Sequence, residues 1–284
     1  MPIHPTAVID PLAQIAAGVE IGPYSVIEGR VRIAAGTVIG PHCHVLGSTI
    51  IGPRCRLHAG CVIGDYPQDR SFNGEESFVE VGADNIFREH VTIHRGTKPG
   101  TKTTVGDRCM FLAGAHVAHN CTVGNDVTLV NSCLLGGYVQ VGDRATLSGN
   151  VGVHQFCRIG EFAMVGGLTC IVQDAPPFFL YHESGYCAGI NAVGLRRAGF
   201  SSEERAELKV AYRRLYRTPG TWTDAVTDLA MTVTTAAGKR LVEFLQAPSK
   251  RGFVTNGLPR GKTLEFEDAE TPPVLKLRTD LEAA

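Results

Sequence analysis

The stretch Val105-Gly-Asp-Arg-Cys-Met-Phe-Leu-Ala-Gly-Ala-His-Val-Ala-His-Asn-Cys-Thr-Val-Gly-Asn-Asp-Val-Thr-Leu129 carries a large apolar residue at every sixth position: Val105, Phe111, Val117, Val123 and Leu129. A helix repeats every 3.6 residues and a long strand every two, so neither element gives that spacing. Followed outward in steps of six, the same phase runs back to Ile3 and on to Ile171, and misses only at Asp69, Glu75 and Pro99. A fixed period of this kind marks a repeat architecture.

Two residues before each large apolar residue stands a small one, such as Ala115, Cys121, Val127 and Cys133. That spacing puts both on one face of a short strand. The next position after the large residue is often glycine, which reads as a turn needing permissive dihedrals. A strand and a turn every six residues, with no change of phase, cannot reverse into hairpins and must wind as a solenoid. Three hexads would close a triangular coil of 18 residues, stacking parallel strands about 4.8 Å apart. Cys43, Cys55, Cys61, Cys109, Cys121, Cys133 and Cys157 all occupy the small slot. With no C-x-x-C pair in the chain, they read as buried small residues rather than a metal or disulfide framework.

The 284 residues include 27 Lys+Arg and 28 Asp+Glu, for a net charge of −1. This balance excludes a bulk electrostatic attraction to nucleic acid. No apolar run is long enough to cross a bilayer, and the start Met1-Pro-Ile-His-Pro lacks the basic and apolar stretch of a secretory signal, so a cytoplasmic protein without membrane insertion is expected.

The polar stretches 65–77 and 97–104 interrupt the hexads and are expected to loop out of the prism. Repeats fade at Asp174-Ala-Pro-Pro, giving a β-helix over residues 1–178. Residues 179–253 are expected to form a C-terminal helical domain, with the helical pattern starting at Ser201. Ser201 with Glu204 reads as a capping box, followed by Leu208, Ala211, Tyr212, Leu215 and Tyr216 on one stripe, and further helices are expected at about 222–231 and 236–247. The polar, proline-containing residues 254–284 read as a flexible tail.

The sharpest chemical cluster is Ala115-His-Val-Ala-His-Asn-Cys121. Winding by 18 stacks His119 under Gly137, and Gly137 under Gln155, with His154 close by. A residue without a Cβ above an imidazole leaves its N–H accessible, which is what a thioester oxyanion beside a general base requires. Two other readings compete. His116 and His119 can be polar turn residues facing solvent, or they can hold zinc between subunits, although no third histidine falls at a matching position.

Several motifs make the resemblance specific: Asp65-Tyr-Pro-Gln-Asp, Val91-Thr-Ile-His-Arg-Gly-Thr, Ala115-His-Val-Ala-His-Asn-Cys-Thr-Val-Gly-Asn, Val153-His-Gln-Phe-Cys-Arg-Ile-Gly, Met164-Val-Gly-Gly, Gln173-Asp-Ala-Pro-Pro and Gly194-Leu-Arg-Arg-Ala-Gly-Phe. In order and spacing they resemble the acyl-carrier-protein–UDP-N-acetylglucosamine O-acyltransferases, hexapeptide-repeat enzymes that begin lipid A synthesis. The similarity runs from residue 1 to about 253. It implies a left-handed parallel β-helix with a small C-terminal helical domain, assembled as a homotrimer whose clefts are shared between subunits. It implies His119 as general base and the Gly137 N–H as oxyanion donor. Gln68, Asp69, His116, Tyr138, His154, Gln155, Asn191 and Arg197 would surround the sugar nucleotide, with Arg197 near the phosphates. Met164 and Gly167 would line the acyl groove, where glycine leaves room for a longer hydroxyacyl chain. Acyl carrier protein would be the donor and UDP-N-acetylglucosamine the acceptor, with no metal and no bound cofactor.

Four positions depart from the family's pattern. Tyr138 stands for a histidine, Asn120 for an aspartate, Ser71 for a lysine and Val193 for an acidic residue. The alternatives are a paralogue acting on another nucleotide sugar or thioester, and a catalytically silent β-helix that binds a sugar nucleotide.

Overall fold

The computed structural model describes residues 3–183 and 185–257, so the tail from residue 258 onward lies outside the described residues. Short strands stack into three sheets of nine, eight and ten strands, each joining every third strand of the chain except at the last two strands of the third sheet. Val117 pairs in parallel with Leu135, and Leu135 with Val153, so the winding advances by 18 residues. The result is the left-handed parallel β-helix. The periodic apolar residues fill its interior, and Ile27, Ile63, Ile93, Phe111, Val117, Leu135 and Leu147 are fully buried.

The loops leave this register unchanged because they remove whole hexads. Pairing steps by 30 positions between Ile51 and Val81 and by 24 between Phe87 and Phe111. Asp69, Glu75 and Pro99, the three misses in the pattern, therefore sit outside the wall. The second loop is shorter than the expected 97–104, because Lys102–Val105 already forms a strand against Phe78–Val81. Its run Thr103-Thr104-Val105 is β-branched and suits a pleated wall.

The glycines need a different account from the one their sequence position suggests. Among those directly after the large apolar residue, only Gly64, where the first loop leaves, has a positive φ, at 90°. The others are constrained by the coil above: a Cβ on Gly106 would lie 2.7 Å from the Gly124 carbonyl oxygen, and one on Gly40 would lie 2.9 Å from that of Leu57. The left-handed conformation falls two positions later, on Tyr24, His42, Asn120, Asp126, Tyr138 and Phe156 among others.

The small slot also does more than save space. Ser25 and Thr37 donate to the Gly40 and Gly52 carbonyls at 2.7 and 2.9 Å. The thiols of Cys43, Cys109 and Cys121 do the same to His58, Gly124 and Gly136 at 3.0, 3.1 and 3.2 Å. These side chains thus satisfy turn carbonyls that the ladder leaves out.

The helical domain expected over residues 179–253 does not begin with a helix. Phe179–His182 and Tyr186–Ile190 are strands that extend the third sheet, the second of them antiparallel. The pair was hidden because Pro176-Pro177 breaks the hexad phase: Val165 pairs with Tyr181 rather than with a residue 18 ahead. Four helices follow: α1 (Ala192–Arg197), α2 (Ser202–Tyr216), α3 (Trp222–Thr232) and α4 (Ala236–Gln246). Ser201 and Glu204 form the expected reciprocal capping box on α2. Helix α4 and the chain beyond it are tied to the last coil through Asp174, which is fully buried and pairs with Arg158 at 2.7 Å. The Arg158 guanidinium lies 4.5 Å from the Phe244 ring centroid, and Asp174 also bridges to Phe253. The chain stays pinned past residue 254, since Val254 is buried and Gly257 bridges to Cys187. No helix among the described residues is long and apolar enough to cross a membrane.

Candidate active site

Each coil has three corners, and His119 opens the corner between the first and second sheets. His119 is 8 % exposed, and Gly137 lies over it so closely that a Cβ there would fall 2.6 Å from His119 Nε2. In the ladder at this corner Gly136 N–H donates to Val153 O and Tyr138 N–H to His119 O. The Gly137 N–H between them has no acceptor among the described residues.

The tautomer of His119 follows from its neighbours. The Thr97 backbone N–H can only donate, and it meets Asn120 Oδ1 at 3.0 Å. That oxygen must therefore accept, so the His119 Nδ1 at 3.0 Å carries the hydrogen. Nε2 is left with its lone pair on the side of Gly137. Thr97 Oγ1 also donates to Asn120 Oδ1 at 2.9 Å, and the Tyr138 hydroxyl reaches Thr97 Oγ1 at 3.0 Å. The Tyr138 ring stands edge-on to the imidazole, with centroids 5.4 Å apart. The departures at Asn120 and Tyr138 are thus two ends of one neutral hydrogen-bonded chain.

Asp69 comes to the site from the first loop, with Oδ2 3.8 Å from His119 Nε2. The Ser71 backbone N–H and hydroxyl both donate to Asp69 Oδ1 at 2.8 Å. Those bonds, the backbone one first, hold the Asp69 carboxyl below the usual carboxylate range. Ser71 thus has a place in the site: its two hydrogen bonds hold Asp69 beside the imidazole. Arg95 pins the loop, its guanidinium 4.3 Å from the Tyr66 ring centroid and its N–H on Asp65 O.

A cleft of about 520 Å³ opens at this corner, lined by Gln68, His116, His119, Gly137, His154 and Gln155 together with Leu134, Gly152 and Cys170. Burial, followed by His94 and His119, pushes the His116 imidazole down to about 4. Its Nδ1 meets Thr92 Oγ1 at 2.7 Å, and its ring packs edge-on to His94, 4.9 Å between centroids. Burial likewise lowers His94. Neutral His116 is favoured in the fold, whereas the unfolded chain takes up a proton at about pH 6.5. Stability is therefore complete above that value and falls as pH drops from about 6.5 toward 4. Unfolding in urea at about pH 7 and pH 4.5 should show this loss, and His116→Gln should reduce it by about 2 kcal/mol; an unchanged loss would refute the assignment.

Four expected site residues are not brought to this cleft within one chain. Asn191 caps α1, accepting from Gly194 N–H and donating to Phe162 O, both at 3.0 Å. Phe162 belongs to the corner between the second and third sheets, and Arg197 is exposed at the end of the same helix. Met164 lies on the third sheet. Gly167 lies at the corner between the third and first sheets, where a Cβ would meet only Gly149 O at 3.4 Å. The cause is the prism: its three corners face apart, so residues on different corners cannot share one chain's cleft. Thr92 and Thr97 both belong to the Val91–Thr97 motif, yet sequence reading gave neither a role: their partners, His116 and Asn120, are fixed only by the folded coil. No group of three or more His, Cys, Asp or Glu side chains among the described residues is arranged to hold a metal.

A prism of hexads whose corner stacks a glycine with an unbonded N–H over an imidazole has the architecture of a hexapeptide-repeat acyltransferase. Residues 30–65 match the family model for bacterial transferase hexapeptides, and residues 174–254 match the one for UDP N-acetylglucosamine O-acyltransferase, domain 2. The acyl-[acyl-carrier-protein]–UDP-N-acetylglucosamine O-acyltransferase of Syntrophobacter fumaroxidans is 43% identical over 257 residues, covering 89% of this chain and 100% of that protein. The enzyme of that name from Trichlorobacter lovleyi is 46% identical over 259 residues, covering 89% and 99%. This chain belongs to the UDP-N-acetylglucosamine O-acyltransferase family. Among solved structures, the UDP-N-acetylglucosamine acyltransferase of Francisella novicida superposes with a TM-score of 0.87 at 34% identity, over 90% of this chain and 94% of that one.

Proposed function

We propose that this protein moves a 3-hydroxyacyl group from acyl carrier protein to the 3-hydroxyl of UDP-N-acetylglucosamine, the first step of lipid A synthesis, as a cytoplasmic homotrimer. The observation that carries the reading is Gly137, its N–H unbonded, stacked on His119, with Nε2 as the free nitrogen. In the reaction, His119 Nε2 takes the proton of the sugar hydroxyl as its oxygen attacks the thioester carbonyl carbon. The carbonyl oxygen becomes an oxyanion and accepts the Gly137 N–H. Collapse of the tetrahedral intermediate breaks the carbon–sulfur bond, and the imidazolium returns the proton to the departing thiolate. Asp69, held anionic 3.8 Å away, stabilises the imidazolium in between.

Gln68, His116, Tyr138, His154 and Gln155 are assigned to the acceptor side of the cleft. The trimer accounts for Asn191 and Arg197: a neighbouring subunit would present its own second corner to this one. A Cβ at Gly167 would meet only Gly149 O, at 3.4 Å, so glycine leaves that corner uncrowded, which supports a long acyl chain; Met164 is assigned to bound it.

The test is thiol release from hydroxyacyl carrier-protein thioesters of graded length, with a panel of nucleotide sugars as acceptors. UDP-N-acetylglucosamine with a longer chain should give the highest kcat/KM. A different preferred sugar, or no thiol released with any of them, would overturn the proposal.

A further inference from the structure

We propose that Cys121 is a positioning residue for acyl transfer: its thiol donates to the Gly136 carbonyl at 3.2 Å, the oxygen end of the peptide unit whose other end is the Gly137 N–H. This rests on the reading of that N–H as the oxyanion donor. A peptide unit is planar, so fixing its carbonyl fixes the direction of its N–H. Hydrogen bonds in series also polarise one another: a donor on the carbonyl strengthens the N–H as oxyanion charge builds on its far side.

Three observations single out this thiol. Among the described residues no other group donates to Gly136 O. The next coil up carries Val139 in the slot of Cys121, and there the corresponding carbonyl, that of His154, is instead met by the Cys157 N–H. The prism therefore tolerates a slot residue with no donor, and at Cys121 the donor sits on the peptide that leads into Gly137, the residue stacked over His119. Finally, Cys121 is fully buried, and burial pushes its thiol up to about 12, so it keeps its hydrogen and serves as donor rather than nucleophile.

The experiment compares Cys121→Val, Cys121→Ala and Cys121→Ser with Cys109→Ala, in the full chain, by steady-state kinetics and thermal unfolding. Cys109 makes the equivalent bond, to Gly124 O at 3.1 Å, at a different corner. Loss of the donor at Cys121 should lower kcat about five- to tenfold with KM for the nucleotide sugar unchanged. Serine should restore kcat to within about twofold, and Cys109→Ala should lower the unfolding temperature without touching kcat. Valine, which the fold accepts one coil above, keeps the comparison usable where alanine leaves too large a cavity. Equal kcat in Cys121→Val, Cys109→Ala and the wild type would overturn the inference, as would a serine variant no faster than valine. A parallel His119→Ala arm separates the two readings. If that variant is inactive while Cys121→Val is not impaired, only the role of the thiol falls; if it is active, the reading of the whole site falls.

Discussion

His119→Ala should lower kcat for acyl transfer about a thousandfold, within the range a positioned general base supplies, while the prism remains folded. The size follows from what no neighbour can replace. Asp69 stands 3.8 Å from the imidazole, but its carboxyl is held low by Ser71 and is too weak a base to draw a proton from a sugar hydroxyl at neutral pH. His116 keeps its imidazole neutral down to about 4, and its Nδ1 is engaged by Thr92. The variant should therefore bind the nucleotide sugar with nearly unchanged KM. Asp69→Asn should give a smaller loss, because it removes only the charge that steadies the imidazolium. Steady-state kinetics with the carrier-protein thioester decide this: His119→Ala retaining more than about a tenth of wild-type kcat would remove the base from its role.

Much of this arrangement is readable from the amino acids, and the limits of the reading have physical causes. A hexad that returns in phase from Ile3 to Ile171 fixes the winding, and the winding fixes which residues stack, so His119 under Gly137 is legible without coordinates. The points where the two loops leave the wall are legible as well, since polar insertions of whole hexads leave the phase intact, but the end of the second is not, because Lys102–Val105 returns to the wall as a strand. Contacts made by those loops are not. Nothing in the spacing says that Ser71 folds back on Asp69, or that Thr97 closes a chain from Tyr138 to His119, because these depend on irregular backbone with no period to extrapolate. The strands at Phe179–His182 and Tyr186–Ile190 were missed for a related reason, as they pair by continuing a sheet whose register the prolines had already shifted. The thiols were legible as buried but not as donors, since a side chain's partner 15 residues ahead exists only once the coil is closed.

Gly137→Ala is the sharper test of the site, because it adds one methyl group and removes no functional group. Its Cβ would fall 2.6 Å from His119 Nε2, so either the ring or the corner must move. The ring has little freedom: Nδ1 is tied to Asn120, the Tyr138 ring stands against it, and Asp69 lies beyond Nε2. The corner has little more, since Gly137 O accepts from Phe156 N–H at 2.9 Å and Tyr138 N–H is bonded to His119 O at 3.0 Å. Relief by either route shifts the imidazole against the N–H on the scale of an ångström, and the methyl occupies space beside the nitrogen that must receive the proton. A displacement of that size is enough to cost about a hundredfold in rate, and loss of the oxyanion donor adds to it, so kcat should fall about 10² to 10³-fold. Overpacking should also cost about 1–3 kcal/mol of stability, seen as a lower unfolding temperature. Gly152→Ala serves as the volume control, since its added methyl would meet nothing in this chain within 4 Å although it lines the same cleft. A Gly137→Ala enzyme with a lowered unfolding temperature but wild-type kcat would mean that the imidazole and this peptide do not act together.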